Sequence, residues 1–157
     1  MKLLRETIRR LLKEEQEIMP VDHFINGLAN QADHASMGYN NEIVLDHGEC
    51  LSILSIELDR EEGSYAWVNN LYTTDEKGEA APHCYRKGYA KQMMQLLTST
   101  ADEFGITLQL IAAPPAYLTR KDPTLPDKDE LARFYAKHGF EETDRNYAQV
   151  YMTRSPQ

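Results

Sequence analysis

The segment from Tyr65 to Ala113 leaves few folds open to this chain. It reads as a strand over Tyr65–Thr73, then a helix, then a second strand over Thr107–Ala113. The helix places Tyr89, Met93, Leu96, Leu97, Ala101 and Phe104 on one face and meets a stop signal at Gly105. Strand, helix and strand in that order make a βαβ unit, which crosses over right-handedly and leaves its strands parallel. The nearly continuous apolar run of Thr107–Ala113 is what a strand covered on both faces would show.

The flanks complete one layered domain. Ile43–Leu45 and Leu51–Leu58 are strand-like runs separated by Asp46-His47-Gly48, and Asp59–Gly63 leads to the next strand, so these neighbours are expected to be antiparallel. A loop with Pro114, Pro115, Pro123 and Pro126 leads to a helix starting near Asp127, where Glu130 three residues on suggests a capping box. That helix carries Leu131, Phe134 and Tyr135 and ends at His138-Gly139, with final strands expected over Phe140–Thr143 and Gln149–Thr153. At the other end, Leu4, Ile8, Leu11 and Leu12 form the stripe of an opening helix that should pack on the domain. A second helix over Asp22–Gln31, capped by Asp22, and a turn-rich stretch over Ala32–Asn41 follow. The expected fold is α/β (α+β), a single domain with a mixed central sheet of about six strands around a βαβ core, flanked by helices.

Charge and composition narrow the function. A formal net charge of −8 opposes binding to a phosphate backbone, and the basic residues Lys2, Arg5, Arg9, Arg10 and Lys13 are interleaved with Glu6, Glu14 and Glu15 as on a solvated helix face. Nucleic acid is therefore not an expected partner. No apolar run is long enough to suggest a membrane span, and Met1–Glu17 lacks the apolar core of a secretory signal, so a cytoplasmic location is the expectation. Cys50 and Cys84 read as free thiols, neither at zinc-ligand spacing from a histidine, and no metal site is expected.

The turn between the first βαβ strand and its helix carries the chemistry. Tyr85-Arg86-Lys87-Gly88-Tyr89-Ala90 runs straight into the helix, whose first amides lack intrahelical acceptors and carry partial positive charge. Such an end can seat phosphate groups, and Gly88 and Ala90 are small where a diphosphate would approach the backbone, although a glycine before a helix by itself reads as readily as a simple turn. Arg86 and Lys87 can add charge at the rim.

Two segments resemble a known family. Arg86–Met94, RKGYAKQMM, resembles the pyrophosphate-binding motif Q/R-x-x-G-x-G/A of the GNAT superfamily of acyl-CoA-dependent N-acyltransferases. Leu131–Glu141, LARFYAKHGFE, resembles the helix-to-strand signature of that superfamily, and the likeness spans roughly residues 43–154. The resemblance implies that the Tyr65–Thr73 strand pairs with the pantetheine arm of acetyl-CoA through Leu71, Tyr72 and Thr73. It implies that amides from Tyr85 to Ala90 hold the pyrophosphate and that Tyr135 lies near the thioester sulfur. A phenol there can protonate the departing thiolate, and an amide such as that of Leu71 can stabilise the oxyanion. Read from its own position beside Phe134, Tyr135 is equally a core aromatic.

The sequence also departs from the family pattern. Tyr85 and Arg86 stand where Gln or Arg and often Gly occur, which favours binding by backbone amides over side chains. The Thr74–Cys84 loop is longer than usual and is a candidate mobile rim, and the usual first strand is absent or replaced. No carboxylate or histidine occurs in Tyr65–Tyr72, so the general base is open between Glu57 on the preceding strand, His47, Glu49, His83, a water relay and solvent. Glu57 also reads as a solvent-facing strand residue. The expected activity is acetyl transfer from acetyl-CoA to the primary amine of a small molecule or a protein, the competing reading being a non-catalytic CoA-binding or protein-interaction module. A homodimer is expected from the resemblance alone, with the final strand and the opening helix as candidate pairing surfaces.

Overall fold

The computed structural model describes residues 1–15, 18–114 and 125–157; Glu17, Pro115 and Pro123 lie outside the described residues. The elements are α1 (Lys2–Glu15), α2 (Pro20–Gln31), β1 (His34–Ser36), β2 (Asn41–Asp46), β3 (Cys50–Asp59), β4 (Tyr65–Asp75), a 3-10 turn (Pro82–Cys84) and α3 (Tyr89–Phe104). β5 (Thr107–Ala112), α4 (Lys128–Ala136), β6 (Glu141–Arg145) and β7 (Val150–Arg154) follow. The strands form one mixed sheet in the order β1-β2-β3-β4-β5-β7-β6. β4 and β5 are parallel, joined by α3, and β2–β3, β3–β4 and β5–β7 are antiparallel. The βαβ unit read from periodicity is thus the centre of the fold.

The sheet has seven strands rather than about six. The addition is β1, whose three residues are all exposed, so no apolar alternation announces it; pairing with β2, with Ala35 opposite Ile43, makes it a strand. Helix α3 forms as its pattern dictates. Met93, Leu97 and Ala101 are fully buried, and Gly105 ends the helix in the left-handed region at φ 68°, where a glycine lacks the Cβ clash. Phe24 and Leu28 of α2 share this core with Ile43, Leu54, Ile56 and Leu108 of the sheet. Each such side chain contributes about 1.5–3 kcal/mol by leaving water.

Helix α1 does not pack as expected. Leu4, Ile8 and Leu11 are exposed at 59%, 45% and 50%, because α2 rather than α1 shares the helical layer with α3. Amphipathicity fixes which face is apolar, not what covers it. The α2 cap also differs: the helix starts after Met19, and Asp22, three residues in, accepts a hydrogen bond from the Met19 amide at 3.3 Å. β5 is fully covered on one face, where Leu108, Leu110 and Ala112 are buried, and in part on the other, where Thr107 and Gln109 are half-buried and Ile111 is 41% exposed.

Two features of the sheet position the cleft described below. Ser55 of β3 pairs with Asn70 while Ile56 pairs with Val68, so Asn69 is an extra residue that bulges β4. β4 pairs with β5 only over Tyr65–Val68 and Thr107–Leu110. Beyond the bulge the two strands part. The far side is braced by Arg154, which donates to both carboxylate oxygens of Asp102 at 2.7 and 2.8 Å and to the His138 carbonyl at 2.9 Å. That arginine ties β7 to the end of α3 and to the residues just after α4.

Candidate functional site

The parting of β4 and β5 opens a cleft of about 1380 Å³. One wall is β4 from Val68 to Thr74, one end is the turn before α3, and Ile111 of β5 with Leu131, Phe134 and Tyr135 of α4 forms the opposite side. The volume exceeds the roughly 300–1,000 Å³ usual for small-molecule pockets, and suits an elongated ligand. The backbone edge of β4 that faces away from β3 is not taken by β5 beyond Val68.

The turn is shaped by two left-handed residues, Arg86 at φ 58° and Gly88 at φ 81°. Gly88 is the residue before α3, and the first bond within the helix runs from the Gln92 amide to the Gly88 carbonyl at 3.1 Å. Gly88, at the N-cap position, has no side chain with which to cap the first amides of the helix. The amides of Tyr89, Ala90 and Lys91 therefore precede Gln92, the first donor within the helix, and lie at the positive end of its dipole. Successive amides in a turn of this conformation make an anion-binding concavity.

Most of the residues singled out in the sequence meet here. Leu71, Tyr72, Thr73, Tyr85, Arg86, Gly88, Tyr89, Ala90 and Tyr135 line the cleft. Lys87 does not line it. Tyr135 is 8% exposed, packed edge-on against Phe134 and Phe140 at ring-centroid distances of 5.3 and 5.9 Å, and belongs to both the core and the cleft wall. Burial pushes its phenol up to about 12, so the hydroxyl holds its proton at working pH. The capping box of α4 forms as read: the Asp127 carboxylate accepts from the Glu130 amide at 2.8 Å and the Glu130 carboxylate from the Asp127 amide at 3.2 Å.

The candidate bases are elsewhere. Glu57 sits opposite Trp67 in the β3–β4 ladder, outside the cleft lining, and accepts a hydrogen bond from the Tyr39 hydroxyl at 3.4 Å. His47 lies behind the turn, stacked on Tyr89 at 4.0 Å with Nε2 2.8 Å from the Ser52 hydroxyl. Burial lowers its pKa, while Asp33 and Asp46 oppose the shift. Among the described lining residues the one carboxylate is Glu130, and it is engaged in the helix cap.

Two expectations about the loop before the turn are corrected. Cys50 and Cys84 are not free thiols but a disulfide, with sulfur atoms 2.07 Å apart. The antiparallel register puts Cys50 at the β3 end beside Asp75, and the loop returning from β4 brings Cys84 back to it, 34 residues away in sequence. The Thr74–Cys84 loop is folded on itself rather than an open rim. Asp75 accepts from the Lys77 and Glu79 amides at 2.9 and 2.8 Å, Thr74 bridges Ala80, and Ala81, Cys84 and Tyr89 pack with Cys50.

Asn69, Asn70 and Lys91 also line the cleft and were not singled out. Lys91 was legible in principle, since it sits in the first turn of a helix whose N-terminus was already read as anion-binding. The two asparagines became visible only through the bulge.

No protein-family model matches the sequence, and no curated protein matches it. Solved structures do. A candidate acetyltransferase of the GNAT family from Desulfovibrio desulfuricans matches with TM-score 0.50 at 10% identity, over 87% of this chain and 76% of that one. An acetyltransferase from Thermus thermophilus matches with TM-score 0.44 at 12% identity, over 97% and 74% of the two chains. A protein from Pyrococcus horikoshii matches with TM-score 0.47 at 14% identity over 74% of this chain, which spans 65% of that protein's length. At such identities the likeness is one of fold, and the mixed α/β fold of this chain is GNAT-like.

Proposed function

We propose that this chain is an acyl-CoA-dependent N-acyltransferase that passes an acetyl group from acetyl-CoA to a primary amine. The observation that carries this reading is the junction of three features in one cleft: β4 beyond the Asn69 bulge, the N-terminal amides of α3 behind the Gly88 turn, and the Tyr135 phenol. The β4 edge at Leu71–Thr73 would hold the pantetheine amides. The amides from Gly88 to Lys91, with the Lys91 ammonium, would hold the pyrophosphate despite the net charge of −8.

The amine then attacks the thioester carbonyl, and the resulting oxyanion is stabilised by a β4 amide such as that of Leu71. Collapse expels a thiolate, which takes the proton of Tyr135, and the phenolate regains a proton from solvent. General acid catalysis of this kind is typically worth about 10²- to 10⁴-fold. The acceptor loses its proton to solvent, in keeping with a cleft whose one described carboxylate is held in a helix cap. That same scarcity of bases favours, as the second reading, a module that binds CoA without catalysis.

A thiol-release assay with acetyl-CoA over polyamines, aminoglycosides, lysine peptides and protein N-termini, run beside calorimetry, separates the two. Turnover on any class supports the enzyme. Binding of CoA without thiol release across all four supports the module, and absence of binding at millimolar acetyl-CoA sinks both.

A further inference from the structure

We propose that Cys50, His83 and Cys84 form a zinc site when their disulfide is reduced. The imidazole nitrogen and the two sulfur atoms lie within 4.8 Å of one another. The cysteine Cα atoms are 5.7 Å apart. Zinc holds thiolates at about 2.3 Å in tetrahedral geometry, which needs sulfur atoms about 3.8 Å apart. Side-chain rotation reaches that separation once the sulfur–sulfur bond is open, without moving the backbone.

The frame for such rotation is fixed. Cys50 is in register opposite Asp75 in the β3–β4 ladder, and the Cys84 amide donates to the Ala81 carbonyl at 2.9 Å. Both cysteines are buried, at 3% and 1%, against Ala81 and Tyr89, while His83, next to Cys84 in the chain, is exposed. A buried pair of thiolates is costly without a counter-charge, and a divalent cation supplies one. Two sulfurs and an imidazole are soft and borderline donors that select zinc over magnesium or calcium. The fourth position is left for water, as in three-ligand sites.

The chemistry balances as two steps. A dithiol of the compartment reduces the disulfide, delivering two electrons and two protons to the cysteine sulfurs and itself becoming a disulfide. Zinc then displaces both thiol protons to solvent as it binds. In a reducing compartment the first step is the ordinary state of such a pair. Because Cys84 lies two residues before Arg86, disulfide and zinc are alternative fastenings for the same loop.

The test uses the whole chain, reduced with a phosphine that does not compete for metal, then desalted and titrated with cobalt(II) and with zinc against a chromogenic chelator. The expected result is one equivalent bound, thiolate-to-cobalt charge-transfer absorption, and a higher melting temperature for the reduced protein with zinc than without. The oxidised protein, identical in sequence, should take up no metal, and His83→Ala should weaken binding at least tenfold. Absence of binding by the reduced chain, binding equally strong in the oxidised chain, or affinity unchanged in His83→Ala would each overturn the proposal.

Discussion

Helix α3 begins and ends on glycines in the same left-handed region, and this symmetry gives the pyrophosphate site proposed at its first turn a built-in control. Gly88 has φ 81° and ψ 7°, and Gly105 has φ 68° and ψ 36°. A Cβ added at either meets no atom within 4 Å, so alanine costs backbone strain alone. That strain is about 1–2 kcal/mol in each variant, a fall in melting temperature of roughly 2–8 °C for a chain of this size. The consequences for the ligand differ. Gly88 lines the cleft, and its new methyl would stand where phosphate oxygens approach the amides. Gly105 sits at the far end of a 16-residue helix, about 24 Å away. Gly88→Ala should therefore weaken CoA binding at least tenfold, about 1.4 kcal/mol, while Gly105→Ala stays within twofold of the parent. Calorimetry on both variants, beside thermal melts, reads the two effects separately. Equal CoA affinity in two equally destabilised variants would refute the placement of the pyrophosphate at this turn.

Tyr135→Phe keeps the ring contacts with Phe134 and Phe140 and removes only the hydroxyl. Turnover should fall at least tenfold with acetyl-CoA affinity within twofold, and an unchanged kcat would return Tyr135 to a core role. Arg154→Met removes the partner of Asp102 and the donor to the His138 carbonyl. Losing these charge-assisted hydrogen bonds to the partly exposed Asp102 should cost about 1.5–3 kcal/mol in urea denaturation. Hydrogen bonding from Arg154 holds the Asp102 pKa below its ordinary 3.8. A depressed folded pKa gives stability that is present above the unfolded value and lost as pH falls through the folded one. The deficit of Asp102→Asn relative to the parent should thus be full at pH 7 and shrink on acidification below about pH 4, and a deficit independent of pH would show the pair contributes nothing through charge.

The site was half legible before the fold was known. The stretch from Tyr85 to Ala90 announced itself because helix ends are local: a glycine, a run of unpaired amides and the start of a 3.6-residue period lie within a few positions. Tyr135 came with a motif whose residues also share one helical face. Glu57 was legible only as a break in the apolar run of β3, which does not tell on which side of the sheet the cleft opens; it lies outside the cleft lining. Lys91 was passed over although it is in the first turn of the same helix.

By itself the sequence determined the elements whose causes lie within about one helical turn or one strand. These are the amphipathic face of α3 and its terminal glycines, the Asp127–Glu130 capping box, and the strand–helix–strand order that forces β4 and β5 to be parallel. Tertiary structure alone decided the rest. The bulge at Asn69 follows from the register of β3 against β4, the exposure of α1 from α2 taking its place in the core, and the Cys50–Cys84 link from a ladder that brings together residues 34 positions apart. Short-range periodicity fixes what a segment prefers to be, whereas register and layer packing are settled only among distant segments competing for one buried surface.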